Sequence, residues 1–164
     1  MIDPQDQQAY LALRAANDQL REEGCAWFWN TLEQLVSSHL QTVPASTEHL
    51  QLGRQPWEFQ VERSVMIGER YGVRHRGQTL VIEVGWPRRP EHGHVPGQGL
   101  ARGRVGLSQN LMLEPRPLCE LLLRASGQAP ARTPRWFELL PGSAAPLLFT
   151  EQSLVRHLAR LGSF

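Results

Sequence analysis

Apolar residues recur at steps of three and four from Tyr10 onward, through Leu13, Ala16, Leu20, Gly24, Trp27, Phe28, Leu32, Leu35, Val36 and Leu40. That spacing returns a side chain to the same side of an α-helix at every turn. Arg14, Asp18, Arg21, Glu22 and Gln34 fill the opposite side, so the first forty residues read as one long amphipathic helix. Asp3 is placed to cap it, Pro4 suits the first helical position, and Asp6 lies near the positive end of the helix dipole. The phase runs through Gly24, although glycine there costs about 1 kcal/mol against alanine and leaves a kink or break open. Val43-Pro44-Ala45-Ser46 ends the helix, because a residue preceding proline avoids helical geometry.

From His49 the period changes to two, the signature of strands. Segments 48–53 and 57–62 read as short strands, the second with Trp57, Phe59 and Val61 on one face. Segment 65–75 follows, and Arg76-Gly77 marks a hairpin turn. Beyond it Leu80, Ile82, Val84 and Trp86 alternate with Thr79, Val81, Glu83 and Gly85, the clearest strand of the chain. Its acid, Glu83, reads as a solvent-facing alternation partner. Residues 87–104, rich in proline and glycine, read as a long loop of the kind that often carries function. Strand patterning returns at 104–107, 118–124, 135–140 and 147–149, with a second loop at 125–134. Thr150 then caps a final helix whose Leu154, Val155, Leu158 and Leu161 form one face.

No repeat, linker or βαβ alternation interrupts this order. The expectation is a single α+β domain over residues 1–164. A long N-terminal helix and a C-terminal helix cover one face of a mostly antiparallel sheet of five to seven strands, in two layers. A chain of 164 residues can bury about two-thirds of its unfolded surface and needs no disulfide or structural metal to fold. The acidic, polar start of the chain and the shortness of its apolar runs predict a cytoplasmic protein without a membrane span. Cys25 and Cys119 sit among apolar neighbours, without C-x-x-C spacing, and read as buried free thiols.

Net charge is only +1, but it is unevenly spread. Residues 1–62 carry three arginines against nine acids, residues 63–116 nine arginines against four glutamates, and residues 117–164 five against three. Every cation is arginine, a bias of the kind GC-rich bacterial codon usage produces. Arg70, Arg74, Arg76, Arg88, Arg89 and Arg104 are candidates for an anion-binding patch, if they converge on one face. Near-neutral overall charge argues against nucleic acid as the partner.

Motifs that would name a reaction are absent. There is no G-x-S-x-G, the run Gly97–Arg104 fits neither the dinucleotide nor the P-loop pattern, and no histidine stands at a recognisable spacing from either cysteine. Glu91-His92-Gly93-His94, with His75 and Arg102, forms the one candidate ligand site, where the loop would fold back on the sheet. No resident metal or cofactor is expected. His39, His49 and His157 carry no assigned role. Trp27-Phe28-Trp29 spans more than one side of the helix, which makes Trp27 and Trp29 candidates for an interface.

These features predict first a non-catalytic domain that binds a protein partner or itself, with an acidic helix meeting arginine-rich sheet residues. A ligand-binding protein or enzyme using the 87–104 loop is the alternative, and an anion or nucleic-acid binder using the arginine-rich middle comes third.

Overall fold

A computed structural model describes residues 4–42 and 49–162. Helix α1 (Pro4–Thr42) leads into seven strands and a short helix. The strands are β1 (His49–Val61), β2 (Ser64–His75), β3 (Gln78–Trp86), β4 (Ala101–Ser108), β5 (Arg116–Ser126), β6 (Thr133–Leu139) and β7 (Leu147–Leu148). Helix α2 (Glu151–Leu158) closes the fold and runs into one 3-10 turn, Ala159–Leu161. Each strand pairs antiparallel with the next, giving one seven-stranded meander in chain order. This is the expected α+β arrangement of long helix, antiparallel sheet and terminal helix.

Local chemistry accounts for the boundaries. The β2–β3 hairpin turns on Arg76 and Gly77, both with positive φ (48° and 80°), as a tight two-residue hairpin demands. At the start of α2, Ser153 Oγ accepts a hydrogen bond from the Thr150 N–H at 3.1 Å, so the expected cap is present. Asp3 and the 43–46 helix stop lie outside the described residues.

Three boundaries differ from the sequence reading. The two short strands expected at 48–53 and 57–62 are one strand, β1. Gly53, at φ +67°, is absorbed as a register shift between Gln51 and Gly53, and Pro56 is tolerated because β1 is a sheet edge. The long loop ends at Leu100, so Arg102 and Arg104 belong to β4. Val155 is 36% exposed, and α2 buries Ser153, Leu154, His157 and Leu158.

Register assigns the two faces of the sheet. Tyr71, Ile82, Val105 and Cys119 form one cross-strand row, all buried, on the face that α1 and α2 cover. The adjacent row reads Arg70, Glu83, Arg104 and Glu120, with charge alternating across four strands on the opposite face. Glu83 is buried there, not solvent-facing. The reason is curvature. In a flat sheet Phe59 on β1 would stand three strand spacings from Arg104 on β4, about 14 Å. Its ring lies 5.1 Å from the Arg104 guanidinium, so the sheet coils until this second face is concave.

Helix α1 seats on the covered face at Gly24. A Cβ there would stand 2.6 and 2.8 Å from the Leu123 methyls and 3.2 Å from Pro134. The bare backbone lets Trp136 Nε1 donate to the Gly24 carbonyl at 2.8 Å, deep in the core. Phe28, one turn on, packs against Trp29, Trp136 and Phe149 with ring centroids 5.2–5.6 Å apart. The helix passes through Gly24 without a break. Gly24→Ala should therefore destabilise the protein by about 1–3 kcal/mol through overpacking, where propensity alone would give a gain of about 1. Urea unfolding of the two proteins decides between these signs.

Candidate functional site

At 1.5 Å per residue the 39 residues of α1 extend about 58 Å. Burial begins only at Leu20, so residues 4–19 project as an arm about 24 Å long. The arm keeps the helix's apolar stripe. Tyr10, Leu13 and Asn17 continue, at steps of three and four, the same side of the helix that buries Leu20, Gly24 and Phe28 further on. Among the described residues that continuation is largely uncovered: Tyr10 is 63% and Leu13 54% exposed, while Asn17 is half-buried and accepts from Arg132 Nη1 at 3.3 Å. Leu11 is exposed as well.

Between the arm and the end of the sheet lies a notch of about 490 Å³, lined by Tyr10, Leu13, Asn17, Trp86, Pro87 and Arg88. Trp86 forms its floor. Arg88 stacks on that ring at 3.8 Å, and Arg21 approaches it at 5.2 Å. Arg21 is fixed by Asp18, at 2.6 Å, and by the Leu100 carbonyl, to which its Nε donates at 2.7 Å. Arg88 Nε donates to the Ile67 carbonyl at 3.3 Å. Hence the floor is held in place, and α1 beside it carries the carboxylates of Asp6 and Asp18 on the arm and of Glu22 and Glu23 just beyond it. Arg89, the next residue in the chain, stands in solvent and pairs with Glu91 at 3.8 Å.

The two tryptophans singled out by sequence part company. Trp27 is 41% exposed on the flank of α1, whereas Trp29 is buried against Tyr71.

The arginines do not form one patch. Arg70 and Arg104 lie on the concave face, where they flank Glu83 at 3.9 and 2.7 Å. Arg104 also reaches Glu114 at 3.3 Å, and Arg102 pairs with Glu120. Trp57 and Phe59 roof Arg70 and Arg104 at 4.4 and 5.1 Å. Arg74 shares the Arg70 side of β2 further along the strand, Arg76 is exposed in the hairpin turn, and Arg88 and Arg89 sit at the notch. The concave row is thus matched charge for charge by its own glutamates. Arg70 Nη2 and Arg102 Nε are nonetheless buried without a hydrogen-bond partner among the described residues.

The histidines of the candidate ligand site are also apart. His75 closes β2 at the hairpin end. The 87–100 loop crosses the other end of that strand, where the His94 N–H donates to Ser64 Oγ at 3.2 Å and Arg88 reaches Ile67. Eight residues of extended chain between Ile67 and His75 amount to about 26 Å. The side chain of His92 accepts from the Arg88 N–H at 3.3 Å, and Glu91 meets Arg89. Arg102 is held on β4 by Glu120.

One cluster escaped sequence reasoning. Cys119 on β5, Glu138 on β6 and His157 on α2 meet inside the core, with Arg156 bonded to the carboxylate from outside. The three residues are far apart in the chain, and only strand register plus the seat of α2 brings them together. Neither cysteine is a ready nucleophile, since burial pushes both thiols up to about 12. Burial also holds His157 below its ordinary value, against the opposing pull of Glu138.

Fold and surface together define an α+β protein with an unpartnered helical arm. No family model, no curated protein and no solved structure matches the chain. Among the described residues no helix is long and apolar enough to cross a membrane.

The shared carboxylate of the concave row is the point most sensitive to substitution. Glu83→Ala leaves the buried guanidinium of Arg70 without its counter-charge and should lower the unfolding free energy by about 3–5 kcal/mol in urea titrations.

Proposed function

We propose that this protein is a self-associating module whose α1 arm pairs with the arm of a second copy. The observation that carries the reading is the apolar stripe of α1, buried from Leu20 onward and bare over Tyr10 and Leu13. A stripe of that kind on an isolated segment of about four turns gains most of its stability from packing, not propensity.

A second copy is the occupant that the charges favour. The N-terminal half of α1 carries Asp6, Asp18, Glu22 and Glu23 against Arg14 and Arg21, while Arg88 lines the notch and Arg89 follows it in the chain. In a two-fold arrangement each arm lies in the other's notch. Tyr10 and Leu13 then meet Trp86 and Pro87, and the carboxylates of one copy face the arginines of the other. The concave row is a weaker candidate for recognition, because its arginines are already neutralised by Glu83, Glu114 and Glu120.

Sedimentation velocity should give a species of twice the 18.6 kDa chain mass. Tyr10→Asp with Leu13→Asp should reduce it to the monomer without changing the far-ultraviolet circular dichroism, since neither side chain is packed in the monomer. A monomeric wild-type protein, or a dimer that survives both substitutions, overturns the proposal.

A further inference from the structure

The core cluster of Cys119, Glu138 and His157 has a geometry that ordinary packing does not require. The Cys119 Sγ lies 3.5 Å from His157 Nε2, and Glu138 Oε2 lies 3.1 Å from the same nitrogen. All three atoms fall within 4.8 Å of one another, and the three residues are 1%, 2% and 4% exposed.

A catalytic relay is the first arrangement to weigh. In a relay the imidazole uses its two nitrogens separately, one toward the nucleophile and the other toward the carboxylate. Here thiol and carboxylate both face Nε2, and Nδ1 is buried without a partner among the described residues. The cluster converges on a point instead of forming a chain.

Convergence on a point is what a metal ion requires. A tetrahedral zinc ion bound at about 2.3 Å to sulfur and about 2.0 Å to nitrogen and oxygen sets its ligands about 3.5 Å apart for S···N and about 3.3 Å for N···O. The Sγ···Nε2 edge of 3.5 Å matches the first value and the Nε2···Oε2 edge of 3.1 Å lies close to the second. We infer that Cys119, Glu138 and His157 form a binding site for a single zinc ion, with a water or small anion as the fourth ligand.

The surroundings support it. Arg156 bonds Glu138 Oε1 and leaves Oε2 directed at the imidazole, the division of labour expected between an outer partner and a metal-facing oxygen. The His157 ring is braced by Phe149, stacked at 6.1 Å and 18°. Strands β5 and β6 are rigid neighbours, while α2 is a helix of eight residues whose outer side is solvent. On binding, the thiol gives up its proton to solvent and Sγ bonds the ion as thiolate. The imidazole keeps its own proton by carrying it on Nδ1, which frees the Nε2 lone pair.

The test uses the full chain, freed of metal by chelator and titrated with Co²⁺. The expected result is a thiolate-to-cobalt charge-transfer band in the near ultraviolet, with intense visible bands of four-coordinate cobalt, both saturating at one equivalent and both bleached by Zn²⁺. Cys119→Ser and His157→Gln should abolish the charge-transfer band, while Cys25→Ser should retain it. Absence of that band in the wild-type protein overturns the inference whether or not the variants fold. Retention of it in Cys119→Ser, with loss in Cys25→Ser, overturns it equally, because the metal would then be held elsewhere.

Discussion

The close seat of α1 on the sheet is the constraint from which the rest of the structure follows. Gly24 sets the distance: without a Cβ, the helix backbone comes near enough for Trp136 to hydrogen-bond the Gly24 carbonyl and for Phe28 to join the aromatic cluster of Trp29, Trp136 and Phe149. The middle of the helix is thereby fixed on β5 and β6. Its N-terminal end is left to run past the sheet, because 39 residues of helix are longer than the strands they cover. An arm is the consequence of a long helix whose buried contacts run only from Leu20 to Val36.

The same packing governs the two faces of the sheet. Covering one face with α1 and α2 drives the apolar row of Tyr71, Ile82, Val105 and Cys119 into the core. Coiling then hides much of the other face, although its row is charged. Burial of Arg70 and Glu83 is tolerable only because Arg70, Glu83, Arg104 and Glu120 alternate in sign at neighbouring positions. Charge alternation across the strands and charge asymmetry along the chain are therefore separate matters. The first is spent inside the molecule; the second leaves carboxylates on the arm and Arg88 and Arg89 beside the notch.

Much of this was legible in the sequence, and the exceptions have physical causes. The stripe of α1, the Arg76-Gly77 hairpin and the Thr150 cap all rest on local rules, and all stand in the structure. Gly24 was read as a cost to helix propensity, when its value lies in what touches it from 112 residues away. Segments 48–53 and 57–62 read as two strands but form one, because no local signal tells an edge strand, where Pro56 is tolerated, from a central one. Glu83 was assigned to solvent by alternation, which gives the face but not the curvature of the sheet. Grouping His75 with the 92–94 histidines requires the loop to fold back on the hairpin, yet opposite ends of β2 hold them apart. Cys119, Glu138 and His157 carried no local signature at all, since only cross-strand register and the docking of α2 make them neighbours.

Pairing of the arms is the central claim, and a distance between copies tests it most directly. A single spin label at Gln8→Cys on the arm, in a protein whose two native cysteines are buried, reports that distance by double electron–electron resonance. Arms lying in each other's notches predict a dipolar distance within the arm's own length, about 24 Å. A signal without intermolecular modulation, or a short distance found only for a label at the far end of α1, would contradict it.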